Sequence, residues 1–265
     1  MALFGYIASL LIGISLGLIG GGGSILAMPV MVYLFGVSPV TATSYSLFIV
    51  GSTSLVGAAQ QYKQGSVNIK MAFLFAATSV LAVFLTRKYL VPAIPEHIAT
   101  IGRFSITESW LTMVMFAILM LVSSIFMIRN NSIKAETRDD QGINFWKLIV
   151  YGTGIGLVTG LLGAGGGFLL IPALVLILRL PMKEAVGTSL LVIALNSLIG
   201  FLGNIQEKGI DWRLLGTVTL LAIGGILAGS YLNRKISSGR LKQGFGWFVL
   251  LMGIYILVKE IGTAI

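Results

Sequence analysis

Apolar runs of helix-spanning length recur along the whole chain, at residues 2–36, 39–61, 67–90, 109–128, 146–180, 184–205, 211–232 and 241–261. About 20 apolar residues cross a hydrocarbon core of about 30 Å as a helix. In lipid the backbone must satisfy its own hydrogen bonds, which leaves helices and closed barrels. These runs do not alternate polar with apolar, so a barrel is excluded. Composition agrees: charged residues are 10% of the chain and mean hydropathy is +0.97, whereas a soluble domain carries about 25% charged residues. The fold class is therefore an all-α polytopic membrane protein with about eight main spanning segments. A soluble enzyme and a disordered chain are excluded.

The net charge is +9. Lys and Arg collect at segment ends and in loops, as membrane topology requires, so the charge points to the lipid bilayer and not to nucleic acid. With no cysteine and one histidine, His97, the chain lacks the ligands of a usual zinc site. No basic stretch precedes the first apolar run, which reads as a membrane segment and not a cleaved signal. The connection from Arg87 to Glu108, with Pro92 and Pro95, is expected to be partly an interfacial helix.

The second half repeats the first. Pro172 follows Pro29 by 143 residues, and the same offset takes Gly13, Gly17, Gly20, Gly22 and Gly23 to Gly156, Gly160, Gly163, Gly165 and Gly166. It also takes Ala42, Ser46, Ser54 and Gly57 to Ala185, Ser189, Ser197 and Gly200. The expected organisation is a first membrane repeat over residues 1–128, a charged linker over 129–145 and a second repeat over 146–265.

Each repeat opens with a segment too long for one crossing: about 35 residues rise roughly 50 Å. The first is interrupted by Gly20-Gly21-Gly22-Gly23 and the second by Gly163-Ala164-Gly165-Gly166-Gly167. Glycine frees the chain to turn, so each copy is a broken helix or a hairpin. If both return to their starting side, the 18 Lys and Arg divide twelve against six, the asymmetry that the positive-inside rule favours. That places the linker in the cytoplasm of a multi-pass protein of the cell membrane. It also gives the halves inverted topology, a plan that puts a transporter's site near the midplane.

The breaks are the candidate binding site. A helix starting near Ser24 or Gly167 presents free N–H groups and the positive end of its dipole. Two such ends brought together would hold an anion. Gly22, Gly23, Ser24, Gly165, Gly166 and Gly167 offer backbone donors. Ser46 with Thr53, and Ser189 with Asn196, stand seven apart and share a helix face, adding side-chain donors. Gln60, Gln61, Asn204 and Gln206 are placed to line an access path. No ionisable residue lies clearly within the middle of a span, which argues against a proton relay or a cation site. No nucleophile or acid–base pair is visible, so no catalytic residue, cofactor site or metal site is assigned.

Gly17-Leu18-Ile19-Gly20-Gly21-Gly22-Gly23-Ser24 leading to Pro29, its copy Gly160-Leu161-Leu162-Gly163-Ala164-Gly165-Gly166-Gly167 leading to Pro172, Gly187-Thr188-Ser189-Leu190 and Gly209-Ile210-Asp211-Trp212-Arg213 resemble the TauE/SafE, or sulfite exporter, family across nearly the whole chain. The resemblance implies a membrane transporter that exports a small sulfur-containing anion (sulfite, sulfoacetate or a related sulfonate), with no enzyme activity and no cofactor. A passive anion channel and a non-transport membrane scaffold are the alternatives. The halves also differ: Ser66-Val67-Asn68-Ile69-Lys70 stands where the second repeat keeps Asp211 and Trp212, and Phe84-Leu85-Thr86-Arg87-Lys88 lacks the small residues of Ala228-Gly229-Ser230.

Overall fold

The computed structural model describes residues 2–95, 97–101, 104–129, 145–163, 165–176, 180–203, 210–233 and 238–262. The linker core at 130–144, together with Asn204 and Gln206, lies outside the described residues. The chain is mostly helical. Helix α1 (Ala2–Ile19) runs into a 3-10 turn, Gly20–Leu26, and then α2 (Ala27–Tyr33). The long helices α3 (Pro39–Lys63) and α4 (Ile69–Leu85) follow, α4 continuing as a π-turn over Thr86–Leu90. After strands β1 (His97–Ile101) and β2 (Phe104–Thr107) comes α5 (Glu108–Arg129). The second half holds α6 (Phe145–Leu162), α7 (Gly167–Leu176), α8 (Met182–Leu202), α9 (Trp212–Asn233) and α10 (Ser238–Gly262).

One expectation changes. The 87–108 connection is an antiparallel β-hairpin preceded by the π-turn, not an interfacial helix. The strands carry β-branched and aromatic residues (Ile98, Thr100, Ile101, Phe104, Ile106, Thr107), which favour extended backbone. Among the described residues, five helices are long and apolar enough to cross a membrane: Pro39–Lys63, Ile69–Leu90, Glu108–Ile125, Lys183–Leu202 and Trp212–Leu232. Leu3–Ile19, Gly23–Tyr33 and Leu148–Leu162 are apolar but shorter, because the glycine breaks cut the long apolar runs.

The first broken segment doubles back. Gly23 lies against the Leu16 amide and the Ser15 hydroxyl. At the far end, a Cβ on Gly5 would stand 2.6 Å from the Phe35 ring, and Tyr6 meets Phe35 edge-on at 5.5 Å. The two ends of the segment are therefore side by side. In the second half Gly166 faces Thr159 and Ile155 in the same manner.

Caps set the helix starts. Ser38 accepts from the Thr41 amide with Pro39 next in line, Asn68 accepts from Met71, and Asp211 accepts from Arg213 and Leu214. Gly65, at φ 68°, follows the end of α3. Asn68→Ala is expected to cost about 1 kcal/mol of stability, read as a lower midpoint in thermal unfolding of the purified protein; an unchanged midpoint would discount the cap.

Helix packing between the halves comes in exchanged pairs. α1 lies along α9 while α6 lies along α4, α3 packs on α8, and α5 packs on α10. The contacts exchange residue by residue. Gly13 lies on the Ala222 carbonyl and Gly156 on that of Ser79; Gly57 meets Leu190 and Ile226, while Gly200 meets Leu47 and Val83. Every partner here differs from its counterpart by the same 143 positions. Small residues let these backbones approach, as helix contacts in lipid require. α3 and α8 are central: 72% and 67% of their most apolar stretches are buried inside the protein, against 33% for α5.

Candidate functional site

The two glycine breaks touch. A Cβ on Gly21 would land on the backbone of Gly167, 2.6 Å from its Cα, and one on Gly167 would land 2.5 Å from the Gly21 Cα. Around this contact each break leans on the central helix of the other half: Gly20 on Val186 of α8, and Gly163 on the Thr43 backbone of α3. Only glycine fits where the chain also turns left-handed, at Gly20 (φ 70°), Gly163 (65°), Gly165 (67°) and Gly166 (65°).

The breaks are not alike as donors. In the first, the expected helix start at Ser24 gives way to the 3-10 turn, and α2 begins only at Ala27. The buried Ser24 hydroxyl donates to the Gly21 carbonyl at 2.8 Å, so it is already committed. Tight 3-10 hydrogen bonding over four glycines and this serine takes the place of an open helix end. In the second, α7 does start at Gly167, and its first N–H groups have no partner within the helix. The Gly166 carbonyl accepts from Leu169 and Leu170. Gly22 and Gly23 lie within the 3-10 turn.

Two buried hydroxyls stand beside the second break, and further buried polar groups lie on α3 and α8. A Cβ on Gly165 would be 3.2 Å from the Ser197 hydroxyl, and Gly166 faces the Thr159 hydroxyl. Ser197, Thr159, Asn196, Thr53, Ser54 and Ser46 are all fully buried. The hydroxyls of Ser46, Thr53, Ser54, Thr159 and Ser197 and the Asn196 Nδ2 have no hydrogen-bond partner in the protein. Such groups are costly when left unpaired. Asn196 is half engaged: its Oδ1 accepts from Ser79 at 2.9 Å. Gly51 packs on Leu198, so Thr53-Ser54 and Asn196-Ser197 flank one crossing of α3 and α8. Ser189 is buried too, but its hydroxyl donates to the Val186 carbonyl at 2.8 Å.

Two side chains escaped the sequence reading. Thr159 sits in a glycine-rich run that reads as packing; its counterpart 143 residues earlier is Leu16, and that asymmetry was the available signal. Arg87 stands inside the span Ile69–Leu90, three residues from its end, and is fully buried. Its Nη1 donates to the Thr43 hydroxyl at 2.8 Å. An arginine near a helix end ordinarily extends to the interface, and nothing in the sequence told that this one turns inward.

A bundle of apolar helices around a buried meeting of two backbone breaks is the interior of a polytopic membrane protein. Residues 6–256 match the family described as Sulfite exporter TauE/SafE, and the chain belongs to that family. It is 29% identical over 255 residues to a "Probable membrane transporter protein" of Xylella fastidiosa, covering 94% of this chain and 92% of that one. It is 27% identical over 230 residues to the "Probable membrane transporter protein YdhB" of Bacillus subtilis, covering 86% and 87%. A Methanocaldococcus jannaschii protein, "Probable membrane transporter protein MJ0441", is 35% identical over 114 residues, covering 41% and 43%. Family and relatives alike indicate a membrane transporter.

Proposed function

We propose that the protein exports a small sulfur-containing anion, sulfite or a sulfonate such as sulfoacetate, across the cell membrane by alternating access. The observation that carries this reading is the set of buried donors without protein partners around the touching breaks. Hydroxyls, an amide and helix N–H groups suit an oxyanion, which accepts from several donors at once. A cation would need oxygen acceptors or carboxylates.

The site is assigned to the N–H groups of Gly165 to Gly167 with Thr159, Ser197 and Asn196, faced by Ser46, Thr53 and the first break at Gly22 to Ser24. Two inverted repeats, 1–128 and 146–265, account for the exchanged contacts: one half supplies the walls for the other's break. With each broken segment returning to its starting side, three further spans per half leave an odd number of crossings. That count gives opposite orientations, eight main segments in all, and the linker in the cytoplasm.

The test is uptake into proteoliposomes of sulfite, sulfoacetate, thiosulfate, sulfate and chloride, with and without a proton gradient. Saturable uptake of one sulfur oxyanion, competed by its relatives, is the expected result. Flux that never saturates would favour a channel, and no flux from folded protein would overturn anion transport.

A further inference from the structure

We infer that Arg87 is a specificity-determining residue whose fixed charge makes the site prefer a divalent over a monovalent anion. The inference rests on the proposed anion transport and names the charge class of its ligand. Arg87 lies in the π-turn that ends α4, a distortion often found at functional sites. Its neighbours Lys88 and Tyr89 are exposed, but Arg87 is not exposed at all. Ionisable groups inside a span are expensive and mark ligand paths. A guanidinium keeps its proton when buried, so position 87 carries a permanent positive charge within the bundle.

The charge is placed against the second break. Arg87 donates to Thr43, and Gly163, the left-handed turn that opens that break, packs on the Thr43 backbone. Gly160, on the last turn of α6, packs on Thr86: a Cβ added there would stand 2.7 Å from the Thr86 Cβ. The exchanged contact in the first break has Gly17 against Ser230, the neutral residue 143 positions after Arg87. Among the described residues only the second break therefore carries a cation, and it is the one with the open helix start. Thr43 also lines a cavity of about 30 Å³ with Glu108, Thr112, Leu161 and Leu162, so Glu108 supplies a field of opposite sign on the same side. In a poorly polarisable interior such charges act over several ångströms without touching the ligand.

The experiment compares KM in proteoliposomes at neutral pH for sulfoacetate, a dianion, and isethionate, a monoanion of similar skeleton. Wild type is expected to favour the dianion. Arg87→Gln should reduce that preference about tenfold, Arg87→Lys should keep it within about threefold, and Glu108→Gln should raise it by about twofold or more. A merely structural arginine would shift both KM values together, and would not make substitutions of opposite sign move the ratio in opposite directions. An unchanged ratio in folded Arg87→Gln, or a wild type that prefers the monoanion, overturns the inference and leaves anion transport standing. If Arg87→Gln does not fold, a Glu108→Gln ratio that stays level or falls overturns it instead. A wild type that moves no anion overturns both readings.

Discussion

Adding one methyl group at Gly167 should abolish transport and destabilise the protein by about 3 kcal/mol or more, the upper end of overpacking costs. The new Cβ would lie 2.5 Å from the Gly21 Cα, and two backbones held by opposing helices cannot swing aside as a side chain does. The gain in helix propensity from Gly to Ala, about 1 kcal/mol, is too small to offset this. Gly21→Ala should behave alike, since its Cβ would meet the Gly167 backbone. The controls are Gly154, Gly216 and Gly224, helical glycines whose added Cβ meets nothing within 4 Å. Alanine there should be neutral or stabilising by about 0.5–1 kcal/mol. Thermal unfolding and sulfite flux, measured on all five variants, decide the matter. A Gly167→Ala protein with the melting point and flux of the wild type would remove the break-to-break contact from the mechanism.

Asn196→Leu should do the reverse to stability. It removes a buried amide Nδ2 that has no partner in the protein, a group that costs about 1–3 kcal/mol when left unpaired. The Ser79 hydroxyl loses the Asn196 acceptor but keeps the Phe75 carbonyl at 3.0 Å, so no new orphan appears. The variant should be as stable as wild type or more so, while KM for the transported anion rises about ten- to a hundredfold, the loss of a hydrogen bond to a charged group. Such exchanges of stability for function are general at binding sites. A destabilised variant with normal KM would make Asn196 a structural amide.

Much of this was readable beforehand because backbone chemistry leaves marks in the sequence. Four glycines within four or five positions disfavour an α-helix, so both breaks showed as composition. Ser46, Thr53 and Asn196 showed as polar residues at helical spacing inside apolar runs. What failed depended on choices among local conformations of similar energy. The first break tightened into a 3-10 turn, committing Ser24, where the second released a helix start at Gly167. Ser189, equivalent to Ser46, turned its hydroxyl to its own helix. Arg87 lay three residues from a span end, where inward and outward rotamers read the same from sequence; in the fold it turns inward to the Thr43 hydroxyl.

The exchanged packing also governs the order in which the molecule can be made. α1 is synthesised first, yet the wall against which Gly13 and Gly17 lie belongs to α9, about 200 residues later on the ribosome. By contrast α6 finds its partner α4 already made, although α4 itself also packs on the later α8. The leading hairpin therefore keeps its glycine face uncovered until α9 has been made. Contacts this distant in sequence are slow to form and leave surfaces open to wrong partners meanwhile. The surface most exposed to wrong partners during biogenesis is thus the glycine face of α1, which stays open until α9 arrives, and the pairing of α5 with α10 comes later still.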